Sequence, residues 1–207
     1  DAADKYRFAH LQEALTFVPF GVAVDVDYFA AAVVSLMLVL DKSGVMLWAI
    51  AAVALHEAGH TAVLLLCSGS VARVRLCPWG IEIDRRTRNL STAADIAVAV
   101  AGPFANLAAF ALLWRVQPQA AAVNFINGAF SLLPCLGLDG GDIAFAALCR
   151  VFGPRAAQIT LKVLTVAVAA ALTALGARLF IDAGNPTLCL TGLYLGAAEL
   201  LKSTSRL

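Results

Sequence analysis

The stretch 53–67, V-A-L-H-E-A-G-H-T-A-V-L-L-L-C, places two histidines and a glutamate inside an otherwise apolar segment. Ionisable side chains within membrane spans are costly, rare and usually functional. Residues four apart in a helix lie on one face, so His56 and His60 can present two imidazole nitrogens to one ion. Glu57 can then reach a water molecule on that ion. The H-E-x-x-H pattern is typical of a zinc site with two histidine ligands and a glutamate as general base.

The composition predicts an integral membrane protein. Hydrophobic residues make up 61% of the 207 residues and charged residues 14%, against about 45–50% and about 25% in soluble domains. The mean hydropathy is +0.83. A net charge of +1 offers no basic field for nucleic acid. The five cysteines contain no C-x-x-C pair and therefore indicate neither a zinc ribbon nor a disulfide framework.

Apolar stretches of suitable length predict an all-α polytopic membrane protein with about six transmembrane helices, since one crossing needs about 20 mostly apolar residues. The predicted spans are 18–40, 45–67, 93–114, 120–138, 157–179 and 186–201. With six spans, twelve of the fifteen Lys and Arg residues fall on the side that holds both termini. The positive-inside rule therefore places both termini in the cytosol.

The polar segment 68–92 interrupts this pattern. It alternates as V-A-R-V-R-L and then I-E-I-D around Pro78-Trp79-Gly80, which predicts a small membrane-associated β-hairpin at 71–84. Its arginines and tryptophan suit the lipid interface; the alternative is a plain connector whose arginines only set topology. We predict one domain, 1–207, with a catalytic core at 45–150, a cytosolic hairpin at 68–92 and C-terminal helices at 157–201.

A catalytic zinc takes three protein ligands and leaves a fourth position for water. Acidic residues within or beside the spans are candidates for the third ligand: Asp25, Asp27, Asp95, Asp139, Asp142 and Glu199. Asp139 is favoured because it lies in S-L-L-P-C-L-G-L-D-G-G-D-I, 131–143, where a proline breaks the span and two glycines let the backbone fold close to an ion. Asp142 is the second choice, although a helix cap explains it as well.

Three motifs together resemble the site-2 protease family of intramembrane zinc metalloproteases. They are H-E-A-G-H at 56–60, A-G-P-F-A-N at 101–106 and L-L-P-C-L-G-L-D-G-G at 132–141, in the family's order over residues 45–150. The resemblance implies one Zn²⁺ per chain, held by His56, His60 and Asp139, with Glu57 as general base. It also implies that Gly102, Pro103 and Asn106 shape the packing of the third span against the site.

The same resemblance implies a transmembrane protein as substrate and membrane lipid as the surrounding partner. The small size and the R-x-R-x-x-P-x-G pattern at 73–80 are similar to the compact branch that processes sporulation sigma-factor precursors in bacteria. We therefore expect a multi-pass protein of the bacterial plasma membrane that cleaves a membrane-tethered transcription or sigma-factor precursor. The site is expected nearer the cytosolic face, and any regulatory partner is unknown.

One position departs from the family pattern, which has an asparagine three residues before the proline of the aspartate loop. Ser131 stands there. Asn127 and Asn124 lie one and two helical turns earlier, and either could supply the missing amide. The predicted catalytic set is therefore Glu57, Ser131 and Asn127.

Two other classes of function stay open. The chain could be an inactive relative that binds membrane helices as an adaptor, which only the Ser131 departure favours. A metal transporter is the less favoured alternative, because transporters are built from repeated halves and the sequence shows no second segment like H-E-x-x-H.

Overall fold

The computed structural model describes residues 14–17, 23–68, 73–77, 80–84 and 91–204. Within these residues the chain forms six helices: α1 (Tyr28–Leu40), α2 (Val45–Ser68), α3 (Thr92–Leu113), α4 (Pro118–Ser131), α5 (Asp139–Ala183) and α6 (Thr187–Thr204). Four strands accompany them: β1 (Ala14–Phe17), β2 (Ala23–Asp27), β3 (Arg73–Cys77) and β4 (Gly80–Asp84). The chain divides into two compact units, one ending at Gly128 and the other beginning at Ala129.

The strands form one mixed sheet in the order β1-β2-β3-β4. β1 and β2 pair antiparallel, β2 and β3 pair parallel, and β3 and β4 pair antiparallel. A parallel pair needs a long crossover connection, which the helices α1 and α2 supply here. Asp25 of β2 is buried and accepts a hydrogen bond from the Thr16 hydroxyl at 2.8 Å, so this acid belongs to the sheet.

The predicted fold class, an all-α polytopic membrane protein with about six transmembrane helices and a small membrane-associated β-hairpin at 71–84, is wrong. Strands β3 and β4 are two members of a four-stranded sheet, and β2 occupies part of the segment that was predicted to begin the first span. In the described part of the chain, three helices are long and apolar enough to cross a membrane: Val45–Cys67, Thr92–Leu113 and Asp139–Ala183. The cytosolic placement of both termini rests on a count of Lys and Arg residues on either side of six predicted spans, and it stays a prediction.

Local sequence explains the shorter helices. Helix α1 has 13 residues because Asp25 and Asp27, which precede it, pair in β2. Helix α4 has 14 residues and ends at Ser131, before the Pro134 that was predicted to interrupt a span at 120–138. At a rise of 1.5 Å per residue, α4 is about 21 Å long, less than the roughly 30 Å of hydrocarbon.

Helix α5 contains a break at Gly153. Its 45 residues would extend about 68 Å as one continuous helix. Gly153 has φ 80° and ψ 165°, which is not a helical conformation and which favours glycine. Pro154 follows, a residue that is well tolerated at the first position of a helix. The element is therefore two helical segments, 139–152 and 154–183, and the predicted span 157–179 lies within the second.

Polar groups before α2 fix where that helix begins. The Asp41 carboxylate accepts hydrogen bonds from the Ser43 hydroxyl and backbone N–H and from the Met46 N–H at 2.6 Å. These bonds, the Ser43 hydroxyl foremost, hold the pKa of the Asp41 carboxyl below its usual range. An ionised carboxylate at this end also complements the positive end of the helix dipole. The connection turns at Gly44, whose φ is +73°.

Glycines let helix backbones approach within each unit. In the first unit, a Cβ added at Gly59 of α2 would lie 2.7 Å from the Ala101 carbonyl oxygen of α3. In the second, a Cβ at Gly176 of α5 would lie 2.1 Å from the Cys189 nitrogen of α6. In lipid the hydrophobic effect does not drive helices together, so close packing through small residues supplies much of their association.

Two glycines one turn apart on α6 allow a matched test of this packing. A Cβ at Gly192 would lie 2.5 Å from the Thr173 nitrogen, whereas a Cβ at Gly196 would lie 3.7 Å from the Ala169 Cβ, an ordinary contact. We expect Gly192→Ala to destabilise the protein by about 1–3 kcal/mol through overpacking. Gly196→Ala should be neutral or stabilising, because alanine is the better helix former. Denaturation midpoints in detergent measure both, and equal midpoints for the two variants would contradict the packing.

Candidate metal centre

His56 and His60 lie in the middle of α2 and are both 8% exposed. Their Nε2 atoms face each other at 3.1 Å, as the i, i+4 spacing predicts. What such a pair can bind depends on which ring nitrogen of each histidine carries the proton. The partners of the two Nδ1 atoms answer that question.

The tautomer of His60 follows from a backbone contact. Its Nδ1 lies 2.7 Å from the carbonyl oxygen of Val98 on α3. A carbonyl oxygen can only accept a hydrogen bond, so Nδ1 must carry the hydrogen and donate it. In the neutral ring Nε2 is then left with an unprotonated lone pair.

The tautomer of His56 follows from an amide. Its Nδ1 lies 3.1 Å from Oδ1 of Asn106 on α3, a side chain with no exposed surface. The Asn106 Nδ2 donates to the Ala52 carbonyl oxygen at 3.1 Å and to Asn124 Oδ1 at 3.2 Å, which fixes the amide orientation. The Asn106 Oδ1 therefore accepts from the Nδ1–H of His56, and Nε2 of His56 also carries a lone pair.

The converging lone pairs fit a metal ion. Two bare nitrogens 3.1 Å apart repel each other unless a proton or a cation lies between them. Nitrogen ligands at about 2.0–2.1 Å from a tetrahedral zinc ion lie about 3.3 Å from each other, close to the observed separation. Histidines that give their second ring hydrogen to a carbonyl or amide oxygen are the usual form of a zinc ligand.

Gly102 of α3 keeps the space beside these nitrogens open. A Cβ added there would lie 2.3 Å from Nε2 of His60 and 2.8 Å from Nε2 of His56. Any side chain at this position would occupy the region where a metal ion meets the two ligands. The A-G-P-F-A-N motif thus supplies both this cradle and the Asn106 amide.

Asp139 lies in the second unit, at the first residue of α5, and is half-buried. The chain before it folds back onto the start of that helix. A Cβ at Gly140 would lie 2.1 Å from the Leu132 carbonyl oxygen, and one at Gly141 would lie 2.0 Å from that of Cys135. Both glycines after the aspartate are therefore required by close backbone approach.

Thr165 anchors the aspartate loop, residues 132–138, from the second segment of α5. Its hydroxyl accepts a hydrogen bond from the Leu136 N–H at 2.9 Å and donates to the Leu161 carbonyl oxygen at 2.8 Å. Thr165 is 1% exposed, so water could not replace its hydroxyl. Without this hydroxyl, the Leu136 N–H would have no hydrogen-bond acceptor here. Sequence reasoning missed Thr165, because nothing local links it to a loop 29 residues earlier.

Among the described residues, His56, His60 and Asp139 form a group that could hold a metal ion. The other acids considered for the third ligand are not part of that group. Asp25 and Asp27 lie in β2, while Asp95 and Asp142 are exposed in the first turns of α3 and α5. Glu199 is buried in α6.

The structure places the predicted catalytic residues on two helices. Glu57 is half-buried beside His56 on α2, Ser131 is buried at the end of α4, and Asn127 is half-buried one turn earlier. Their assignment to catalysis stays a prediction. Asn124 is already engaged with Asn106 and with the Ala120 carbonyl oxygen.

Sequence reasoning also missed the hydrogen bond from His56 to Asn106. A signal was present, since an asparagine inside an apolar span is costly unless its amide is hydrogen-bonded.

The structure of the site-2 protease from Methanocaldococcus jannaschii is similar to this chain, with a TM-score of 0.63 and 18% sequence identity. The likeness covers 92% of this chain and 95% of that one. No protein-family model matches the chain, and no curated protein matches it by sequence. The chain therefore has the site-2 protease fold. In the described part of the chain, three helices are long and apolar enough to cross a membrane, and this indicates a membrane protein.

We expect Gly102→Ala to weaken zinc binding by at least about tenfold, because the methyl group would contact both ligand nitrogens. Zinc content after dialysis against a weak chelator measures the effect. Val100→Ala, at an exposed position two residues earlier on α3, is the control and should retain zinc. Full zinc retention in Gly102→Ala would contradict the proposed position of the ion.

Proposed function

We propose that the chain is an intramembrane zinc metalloprotease that hydrolyses a peptide bond within or next to a transmembrane segment of its substrate. The observation that carries the proposal is the buried histidine pair, whose Nε2 lone pairs converge at 3.1 Å within an apolar helix. The site-2 protease fold and the three ordered motifs support the same activity.

His56, His60 and Asp139 would hold the zinc ion, two nitrogens and one carboxylate oxygen that together suit a catalytic zinc site. When bound, zinc acts as a Lewis acid and lowers the pKa of water at the site to about 7. The Val98 carbonyl and the Asn106 amide keep both histidines in the tautomer that ligation requires.

Glu57 would act as the general base. It follows His56 on α2 and is half-buried. Its carboxylate would accept the proton of the attacking water and later deliver it to the leaving amine. A positioned base of this kind contributes about 10²–10⁴ in rate. We propose that Ser131 and Asn127 donate hydrogen bonds to the oxyanion of the tetrahedral intermediate.

The position along α2 supports a substrate bond inside the membrane. His60 lies eight residues before Ser68, about 12 Å along the axis, and fifteen residues after Val45, about 22 Å. The site is thus nearer the end of α2 that leads to strand β3, which we propose is the cytosolic end. Water would reach the site from that side, and the substrate helix must unwind locally to expose its peptide bond.

A membrane-tethered sigma-factor precursor is the substrate class that we propose to test first. The R-x-R-x-x-P-x-G pattern at 73–80 supports this choice. With this substrate we propose that the protein lies in the bacterial plasma membrane. One alternative has a specific observation in its favour. Ser131 is buried where the family has an asparagine, so a zinc-binding but inactive adaptor for membrane helices is the second candidate.

We expect Glu57→Gln to reduce cleavage by at least about 10²-fold while zinc content is unchanged, because the amide cannot accept the proton of water. A panel of tagged single-span membrane proteins, including a tethered pro-sigma factor, serves as substrate in detergent. Asp95→Asn, an exposed acid on α3, is the control and should cleave as the wild type does. Zinc retention without cleavage by the wild type would favour the adaptor.

A second pair of variants tests the third ligand. Asp139→Ala should weaken zinc binding by at least about tenfold, whereas Asp142→Ala should leave it unchanged. Both carboxylates lie in the first turn of α5, so the two variants remove similar interactions with the helix dipole. Competition with a chelator measures affinity, and the reverse pattern would assign the ligand to Asp142.

A further inference from the structure

Two buried amides connect helix α4 to His56. Asn124 of α4 is 5% exposed, and Asn106 of α3 has no exposed surface. The Asn106 Nδ2 donates to Asn124 Oδ1 at 3.2 Å, and the Nδ1–H of His56 donates to Asn106 Oδ1 at 3.1 Å. The three side chains thus form one continuous hydrogen-bonded row across three helices.

The orientation of Asn124 is itself determined. Its Nδ2 donates to the Ala120 carbonyl oxygen, one turn earlier on α4, at 2.9 Å. Because a carbonyl can only accept, the Asn124 nitrogen must lie on that side. The Asn124 Oδ1 therefore faces Asn106 and accepts one of its two N–H groups.

The Asn106 amide is satisfied on every side by this arrangement. Its N–H groups go to the Ala52 carbonyl oxygen and to Asn124 Oδ1. Without Asn124, one N–H would be buried without its acceptor, which costs about 1–3 kcal/mol, and the amide would be free to shift. His56 would then lose the fixed acceptor that selects its Nδ1–H tautomer.

We propose that Asn124 is a positioning residue for the metal centre: it fixes the Asn106 amide, which in turn keeps the Nε2 lone pair of His56 available to the ion. The inference rests on the proposed metal site and deepens it. Asn124 lies outside all three motifs that predicted the site, and only the folded arrangement of α2, α3 and α4 brings it into the row.

The first measurement needs no variant and no metal. Nitrogen NMR of the metal-free protein with labelled histidine reports which ring nitrogen carries the proton. We expect His56 and His60 both to be protonated at Nδ1. A His56 that carries its hydrogen on Nε2 and none on Nδ1 would overturn the proposal, whether or not the chain is a protease.

The second measurement compares two substitutions at the same position. Asn124→Leu removes the acceptor and should weaken zinc binding by about 10–100-fold, as losses of such outer partners do. Asn124→Asp, in its protonated form, can donate to the Ala120 carbonyl oxygen and keep an acceptor oxygen toward Asn106, so it should bind zinc more tightly than Asn124→Leu. Gln119→Leu removes an exposed amide from the same helix and serves as the control.

Substitution of Co²⁺ for zinc gives a visible spectrum that depends on the metal ligands. A substitution that affected only the stability of the fold would not change this spectrum. The visible spectrum of the Co²⁺ protein should change in Asn124→Leu and be preserved in Asn124→Asp. Unchanged zinc affinity and an unchanged spectrum in folded Asn124→Leu would overturn the proposal. If both Asn124 variants lost cleavage while both kept zinc and the Co²⁺ spectrum, Asn124 would act on the substrate instead, and this result would also overturn the proposal.

A wild type without zinc would refute the proposed function, while the NMR result would still decide the tautomer.

Discussion

The contact on which the first unit depends is the approach of two histidine Nε2 atoms to 3.1 Å inside an apolar helix. Each Nδ1–H must find an acceptor there, because an unpaired buried donor costs about 1–3 kcal/mol. Helix α3 provides both acceptors, the Val98 carbonyl and the Asn106 amide. Helix α3 must therefore lie against α2, and Gly59 and Gly102 are the residues that permit it. The chemistry of the site and the packing of the two helices are one constraint.

In the second unit, close contacts of the backbone hold the segment around Asp139 in place. Asp139 is the first residue of α5. Carbonyl groups of the chain before it lie so close to Gly140 and Gly141 that neither position has room for a Cβ atom. The loop amide of Leu136 bonds to the Thr165 hydroxyl, which keeps the loop against its own helix. In the proposed zinc site such support matters, because a carboxylate shifted by 1 Å would no longer meet the ion at about 2.0–2.2 Å.

Sequence predicted the parts of this architecture that local patterns encode. The spans 45–67 and 93–114 match Val45–Cys67 and Thr92–Leu113, and H-E-x-x-H gave the convergent histidines. The sheet was not predictable in the same way. The parallel pairing of Ala23–Asp27 with Arg73–Cys77 joins segments about fifty residues apart, and short apolar strands read locally like the beginnings of spans. Helix α4 ends at Ser131 although apolar residues continue past it, so composition alone overestimated its length.

Ligands can be named from spacing, but tautomers cannot. Asn106 and Asn124 decide whether His56 offers a lone pair at Nε2. They lie fifty and sixty-eight residues further along the chain. Asn106 belongs to one of the three motifs, whereas Asn124 lies outside them. In water, solvent would satisfy either ring nitrogen and the tautomer would be weakly specified. In an apolar interior the protein must supply the acceptor, and then an acceptor for the group that supplies it. The row ends only where it reaches a backbone carbonyl, here that of Ala120. A metal centre within lipid therefore requires positioning residues at a distance from the ion, placed by the fold rather than by the motif.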